Sequence, residues 1–254
     1  MTNIILCGCG GKMGQAIIRA TAGSQTCRIV AGVDINADAV APACNFPVYG
    51  AISDFPGKAD VIVDFSHHTA LLPLTEYAKA TKTPLVVATT GHTDEERAIM
   101  NQAAEAVAVF FSGNMSIGIN LLIELCRQAA ATLGESFDVE IIEKHHNQKL
   151  DAPSGTALMI ADALTEERKE TEYVYDRHSV RKKRELKEIG IHSIRGGTIV
   201  GEHEVIFAGN NETVSLTHTA TSREIFANGA LKAATYLAGK PAGLYNMSDL
   251  INGR

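Results

Sequence analysis

The densest group of reactive side chains lies at residues 143–158, which read EKHHNQKLDAPSGTAL. His145, His146 and Lys149 can each give protons or bind anions. An apolar run at 139–142 leads in and is predicted to be a strand. Pro153, Ser154 and Gly155 are predicted to open a helix that continues through Leu158, Ile160, Ala161 and Leu164. Proline suits a first helical turn and serine an N-cap. A helix opening on Ser-Gly-Thr offers backbone N–H groups and the positive end of a dipole, which together suit a carboxylate or phosphate. The stretch therefore predicts a site for a small anionic substrate, with acid/base chemistry attached.

A second group sits at the N-terminus. A strand at 3–7 is followed by GCGGKMG, a helical pattern at 15–21 and a strand at 28–33 that ends on Asp34. Gly8, Gly11 and Gly14 follow a G-x-x-G-x-x-G spacing. Glycines at a strand-to-helix junction let the backbone turn tightly and approach a pyrophosphate. Asp34 follows Gly14 by 20 residues, where an acid can accept hydrogen bonds from an adenosine ribose; an ordinary turn and a solvated aspartate are the alternative. The next residue is Ile35, so no arginine is there to clamp a 2′-phosphate. Asp34 would repel that phosphate, and Lys12 is the one nearby cation that softens the bias. NADH is expected to be preferred and NADPH tolerated. Cys9, in this turn before a helix, could have a lowered pKa, although packing is the commoner role for such a cysteine.

These groups need a scaffold, and the chain is long enough for one: 254 residues, 45% hydrophobic and 20% charged, suffice for one large domain or two small ones. The net charge of −6 argues against a mainly nucleic-acid-binding protein. No apolar run approaches a membrane span, and the N-terminus lacks a signal-peptide layout, which favours the cytoplasm. The five cysteines, Cys7, Cys9, Cys27, Cys44 and Cys126, are odd in number and include no C-x-x-C pair, so neither a disulfide framework nor a zinc finger is suggested.

An α/β rhythm follows the first unit: a weakly periodic excursion at 36–58 around a strand at 48–49, strands at 61–65, 84–88 and 107–111, and helices at 69–80 and 94–106. In open parallel sheets cofactors lie at strand ends. This makes Phe65-Ser66, then Ala88, Thr89 and Thr90, then Ser112, Gly113, Asn114 and Met115, candidates for the nicotinamide half of a site. His67-His68 and His145-His146 tempt a metal reading, but neighbours on an extended segment point apart. No spaced ligand motif is present, so no metal is expected. A long apolar helix at 117–133 carries the chain into a second domain. Residues 166–188 are charged, with Arg177, His178, Arg181, Lys182, Lys183 and Arg184 clustered, and are predicted to be a mobile, solvated loop. Strands at 189–194, 201–208 and 213–219, in meander with one at 137–144, predict a mixed or antiparallel sheet. Such a sheet leaves a face that a symmetric interface could cover. Arg223, at the start of a helix at 225–237, could reach a substrate carboxylate in a fork. The tail at 243–251 is expected to pack back on the first domain.

Taken together, these motifs resemble the dihydrodipicolinate reductase family over essentially the whole length. GCGGKMG is similar to the family's nucleotide loop, ATTG at 88–91 to its second cofactor turn (usually written with glycine first), SGNMSIG at 112–118 to its third, and EKHHNQKLDAPSGTAL to its signature. IRGGTIVGEHEVIFAG and TATSREIFANGA resemble its later strands and return helix. The resemblance implies a Rossmann-like α/β dinucleotide-binding domain, 1–116 completed by 226–254, and an α+β substrate and tetramerisation domain with a mixed sheet, 117–225. It implies Gly8, Cys9, Gly10, Gly11, Lys12, Met13, Asp34, Ala88 to Thr90 and Ser112 to Met115 at NAD(P)H, His145 as proton donor/acceptor, Lys149 as proton donor, and His146, Gly155 and Thr156 at a dicarboxylate substrate. It also implies a homotetramer in lysine biosynthesis through diaminopimelate. Ile35 stands where NADPH-preferring members often carry a basic residue, and Met115 where some carry an aromatic. The residues themselves leave two rival readings, another two-domain nicotinamide dehydrogenase or a non-catalytic NADH-binding regulator.

Overall fold

A computed structural model describes residues 1–253. In chain order the elements are β1 (Thr2–Cys7), α1 (Lys12–Thr21), β2 (Cys27–Val33), α2 (Ala37–Val40), β3 (Val48–Tyr49), β4 (Val61–Asp64), α3 (Leu71–Thr81), β5 (Leu85–Val87), α4 (Asp94–Ala104) and β6 (Ala108–Phe111). They continue with α5 (Ile117–Leu133), β7 (Asp138–His145), α6 (Gly155–Glu166), β8 (Glu172–Val174), β9 (Glu188–Arg195), β10 (Gly201–Ala208) and β11 (Thr213–Ala220), and close with α7 (Glu224–Leu237), β12 (Gly243–Tyr245) and α8 (Met247–Asn252). The chain forms two compact units, Met1–Ile117 with Glu224–Arg254, and Gly118–Arg223.

The first unit is built on a seven-stranded parallel sheet, ordered β12-β6-β5-β4-β1-β2-β3. Its central strands are apolar on both faces because helices cover both. Ile4, Leu6, Val61, Val63, Val86 and Phe110 pack with α1 and α7. Ile5, Ile62, Leu85, Val87 and Val109 pack with α3 and α4. The C-terminal segment is thus part of this core, and β12 extends the sheet beside β6. Helix α4 starts on a capping box in which Thr93 and Glu96 satisfy each other's backbone N–H. The helix expected from residue 69 begins instead as a single 3₁₀ turn, His68–Ala70, before α3.

The second unit carries a mixed five-stranded sheet, ordered β11-β10-β7-β9-β8. It is not a simple meander: β7 lies between β9, its parallel partner, and β10, its antiparallel one. One face packs under α5 and α6, with Val139, Ile141, Ile189, Ile191, Val205 and Phe207 against Leu122, Cys126, Ile160 and Leu164. Along β7 the inward positions are Val139, Ile141, Glu143 and His145, and along β10 Phe207, Val205, His203 and Gly201. The same buried face therefore turns from apolar to charged along its length.

Within 166–188, β8 pairs in parallel with β9, and residues 175–183 form an exposed loop, as the charge pattern predicts. What the pattern does not show is that Arg177 and Arg184 reach back to carboxylates of the sheet. Arg177 donates to Glu140 and Glu188, each at 2.6 Å. Arg184 donates to Asp138 at 2.6 Å and to the Val139 and Glu188 carbonyls. Sequence pattern marks charge but not the long-range partner that neutralises it.

Glu188 is fully buried. The Arg177 hydrogen bond, opposed by burial and helped by Lys182, holds its carboxyl down at about 2, against an ordinary 4.5. A carboxyl depressed on folding adds stability above its unfolded value, and that stability is lost as pH falls toward the folded value. Glu188→Gln should therefore reduce, by about one proton, the dependence of unfolding free energy on pH between about 4.5 and 2. Chemical unfolding across that range reads the slope, and an unchanged slope would contradict the network.

Candidate active site

In the second unit, Glu143 is the point where the site's elements meet. It has no solvent exposure. Arg195, from the end of β9, forks onto both carboxylate oxygens at 2.7 Å. Its Nη2 also donates to the Asp151 carbonyl at 2.7 Å. The backbone N–H of Ser154 donates to Glu143 Oε1 at 3.0 Å, and His145 Nδ1 stands 2.6 Å from Oε2. Burial pushes the Glu143 carboxyl up, but Arg195, His145, Ser193 and Ser154 outweigh it and hold the group at about 2. An ionised Glu143 can only accept, so His145 carries its proton on Nδ1 and leaves Nε2 as the free ring nitrogen. Burial lowers the His145 pKa, Glu143 raises it, and Lys149 and Arg195 lower it again; the net shift is downward.

Register fixes what surrounds that imidazole. Glu143 pairs with His203 across β7 and β10, and the rings of His145 and His203 meet edge to face at 5.2 Å. Gly201 leaves room for His145, because a Cβ there would lie 3.1 Å from Nε2. His203 is buried, and burial, then the His145 charge, brings its pKa down to about 4. Its Nε2 lies 3.1 Å from Ser154 Oγ, which caps α6 by accepting from Ala157 N at 3.1 Å. Ser154 is thus the N-cap, whereas Pro153, expected inside the first turn, precedes it. Gly155 and Thr156 open the helix.

The loop after β7 is pinned to the Gly196-Gly197 turn by Gly196 N to the His145 carbonyl, 2.9 Å, and Asn147 N to the Gly197 carbonyl, 3.2 Å. Within it, Lys149 pairs with Asp151 at 2.8 Å, and the lysine lowers the Asp151 pKa. Arg223 Nη2 lies 3.3 Å from His146 Nε2. The proton-transferring and anion-binding groups singled out in the sequence therefore fall into one neighbourhood within this unit: His145 held from below, Lys149 tethered by an acid, and His146 beside Arg223. Such an arrangement can bind an anion and move a proton.

In the first unit a cleft of about 1060 Å³ is lined by Gly8, Gly10, Gly11, Asp34, Ser66 and His67, among others. Gly8 has φ +74°, and a Cβ on it would come within 2.5 Å of the Phe65 carbonyl oxygen, so only glycine fits this turn. The N-cap of α1 is Gly11, with no side chain to cap it; the following N–H groups, at Lys12 and Met13, suit a pyrophosphate. Asp34 is already engaged with this turn, accepting from Gly10 N at 2.9 Å and Asn36 N at 3.0 Å. Ile35 is 93% exposed. The residues present fit a dinucleotide.

Several candidate side chains face inward. Cys9 is fully buried, and burial, then Cys44 and Asp34, pushes its thiol up to about 11, the reverse of an activated cysteine. Met115 is packed in the hydrophobic core. Ser112 and Asn114 brace their own turn, the Ser112 hydroxyl donating to the Asn114 carbonyl at 2.7 Å and the Asn114 side chain accepting from Ser116 N at 2.9 Å. Thr89 is buried, while Thr90 and Gly113 are exposed. His67 and His68 do not point apart: their rings lie 4.2 Å from each other, because the 3₁₀ turn starts at His68 and the pair is not on extended chain. Among the described residues no group of three or more His, Cys, Asp or Glu is arranged to hold a metal ion, and no helix is long and apolar enough to cross a membrane.

Residues 2–115 match the family description "Dihydrodipicolinate reductase, N-terminus" and residues 118–251 its "C-terminus". The chain belongs to the dihydrodipicolinate reductase family. It is 49% identical to a 4-hydroxy-tetrahydrodipicolinate reductase of Caldanaerobacter subterraneus, over 99% of this chain and 98% of that one. It is 48% identical to that of Clostridium novyi, over the full length of both. Among solved structures, a dipicolinate-bound dihydrodipicolinate reductase from Paenisporosarcina sp. TG-14 superposes with a TM-score of 0.81 at 27% identity, covering 97% of each chain.

In this chain of the dihydrodipicolinate reductase family, sequence reading anticipated the Ser154 cap but gave no role to Glu143, Arg195 or His203. A usable signal existed. Glu143 and His145 share one face of a strand, as do His203, Val205 and Phe207, so polar residues stood at positions that period-two alternation buries.

Removing Arg195 leaves a buried carboxylate without its cation, which costs about 3 kcal/mol or more. Arg195→Ala should lower the melting temperature by roughly 6 °C or more. Arg195→Lys should recover only part of this, because an ammonium cannot fork onto both oxygens. Calorimetry decides; a lysine variant as stable as the native protein would contradict the bidentate role.

Proposed function

We propose that this protein reduces 4-hydroxy-tetrahydrodipicolinate, through dihydrodipicolinate, to tetrahydrodipicolinate in lysine biosynthesis, with NADH preferred over NADPH. The observation that carries the activity is likeness to reductases of this name along the full length, at 49% and 48% identity. The cofactor preference rests on Ile35 following Asp34: no cation adjoins the acid, and an added phosphate would meet a carboxylate.

The glycine turn, Asp34 and the turns at 88–90 and 112–115 are assigned to the dinucleotide, which supplies the hydride when bound. His145, Lys149, His146, Gly155, Thr156 and Arg223 are assigned to the substrate. The substrate is a cyclic imine with two carboxylates. Arg223, His146 and the start of α6 meet the carboxylates. Lys149 protonates the departing hydroxyl as water is lost, and His145 Nε2 takes the ring proton released in that elimination. Glu143 stabilises the imidazolium so formed, and His145 then returns the proton to the reduced ring. Asp151 keeps Lys149 in place. We also assign a homotetramer, since the outer face of the second sheet leaves Ile142 and Ile206 half-buried beside Thr213, Ser215, Thr217 and Thr219 of β11; light scattering that returned a monomer would remove this part.

The test is oxidation of NADH and, separately, NADPH by the purified protein, with substrate made in situ by enzymatic condensation of pyruvate and aspartate semialdehyde. Both are expected to be consumed, NADH with the higher kcat/KM. His145→Ala and Lys149→Ala should each lower kcat by roughly 10²-fold or more, with NADH affinity nearly unchanged. Binding of NADH without oxidation would overturn the proposed reaction, and full turnover in either variant would remove that residue's role.

A further inference from the structure

Asp64 ends β4 with no solvent exposure. It is sustained by hydroxyl and backbone donors: Ser66 N at 2.9 Å and Ser66 Oγ at 2.5 Å on one oxygen, and Thr89 Oγ1 at 3.1 Å on the other. Burial raises its pKa, and these donors oppose the rise. Thr89 follows β5, the strand paired with β4, so this carboxylate joins two adjacent strand-end turns. The Thr89 hydroxyl has a second partner, His92 Nε2, at 3.0 Å. A hydroxyl has one proton, and Asp64 takes it; Thr89 therefore accepts from Nε2–H. His92 Nδ1 makes no hydrogen bond among the described residues, and Glu96 Oε2 lies 3.4 Å from it. Glu96 in turn holds His68 Nδ1 at 2.7 Å through its other oxygen, and the ring of His68 lies against His67, which lines the cleft. The chain of contacts starts beneath the turn after β4 and returns to that same turn from its outer side.

We propose that the Thr89 hydroxyl, held between Asp64 and His92, is a positioning group for the dinucleotide: it clamps the turn after β5 to the turn after β4. Thr89 then acts on the cofactor through the backbone it fixes, not through its side chain, which is turned inward. Both turns lie at the carboxyl ends of parallel strands, where dinucleotides bind. The first of them also abuts Gly8 through the Phe65 carbonyl, so a shift in one turn alters the whole lip of the cleft. This rests on the assignment of the first unit to NAD(P)H.

Thr89→Val keeps the side-chain shape and removes the hydroxyl, leaving an Asp64 oxygen and His92 Nε2 without their partner. Thr89→Ser keeps the hydroxyl. NADH fluorescence titration, steady-state kinetics and melting temperature would be measured for each. The valine variant should show Kd and KM for NADH raised about tenfold, with kcat within about twofold of native, and serine should restore native values. A residue that only supported the fold would lower melting temperature and active fraction while leaving the Kd of the folded protein unmoved. An unchanged Kd in folded Thr89→Val, or a serine variant impaired as badly as valine, overturns the proposal while the dinucleotide assignment stands. If the valine variant fails to fold, His92→Phe breaks the chain at its other end. It should raise the NADH Kd about threefold or more, and an unchanged Kd overturns the proposal. A native protein that binds no NADH would overturn both this proposal and the assignment beneath it.

Discussion

A carboxylate fully removed from water must be surrounded by donors or it will not stay ionised. Glu143 meets that condition with the Arg195 fork, the Ser154 N–H and His145. Each donor comes from a different piece of the second unit: the end of β9, the cap of α6 and the end of β7. The ion pair therefore assembles the site as well as charging it. It fixes the tautomer of His145, brings the start of α6 beside that ring, and ties the Asp151 loop down through the second Arg195 bond.

Strand register makes this possible. Because β7 has β9 on one side and β10 on the other, Arg195 and His203 converge on Glu143 from opposite neighbours. A one-residue slip would turn Glu143 and His145 out of the buried face. The apolar half of that face, under α5 and α6, supplies the burial that holds register. Packing and chemistry thus occupy successive lengths of the same strands. The first unit repeats the arrangement: buried Asp64 ends β4 and bonds to the turns at the carboxyl ends of β4 and β5, just beyond the apolar positions that pack the core.

Local pattern carried much of the fold. The alternation of short apolar strands with helices, the glycine turn and Asp34 pointed to a Rossmann-like unit, and the later strands to a mixed sheet; the family match and the solved relative agree with that class. What local pattern could not carry was pairing at long range. Arg195 lies 52 residues from Glu143, Arg184 lies 44 from Glu140, and no periodicity links them. The basic run is exposed chain, as the pattern suggested, but nothing in that pattern showed that Arg177 and Arg184 are paired with sheet carboxylates. His67-His68 misled for a related reason: opposed side chains require extended backbone through both residues, and a 3₁₀ turn intervenes. At the strand ends the sequence located the turns but not which side chains face inward; Cys9, Thr89 and Met115 are interior groups.

The claim on which the chemistry depends is that ionised Glu143 holds the His145 proton on Nδ1 and leaves Nε2 bare. Nitrogen-15 NMR of the histidine side chains, with His145 assigned by substitution, tests it directly. Near pH 7 a neutral His145 with Nδ1 protonated and Nε2 unprotonated is predicted, and Glu143→Gln should weaken that preference. A neutral His145 protonated on Nε2 in the native protein would contradict the account.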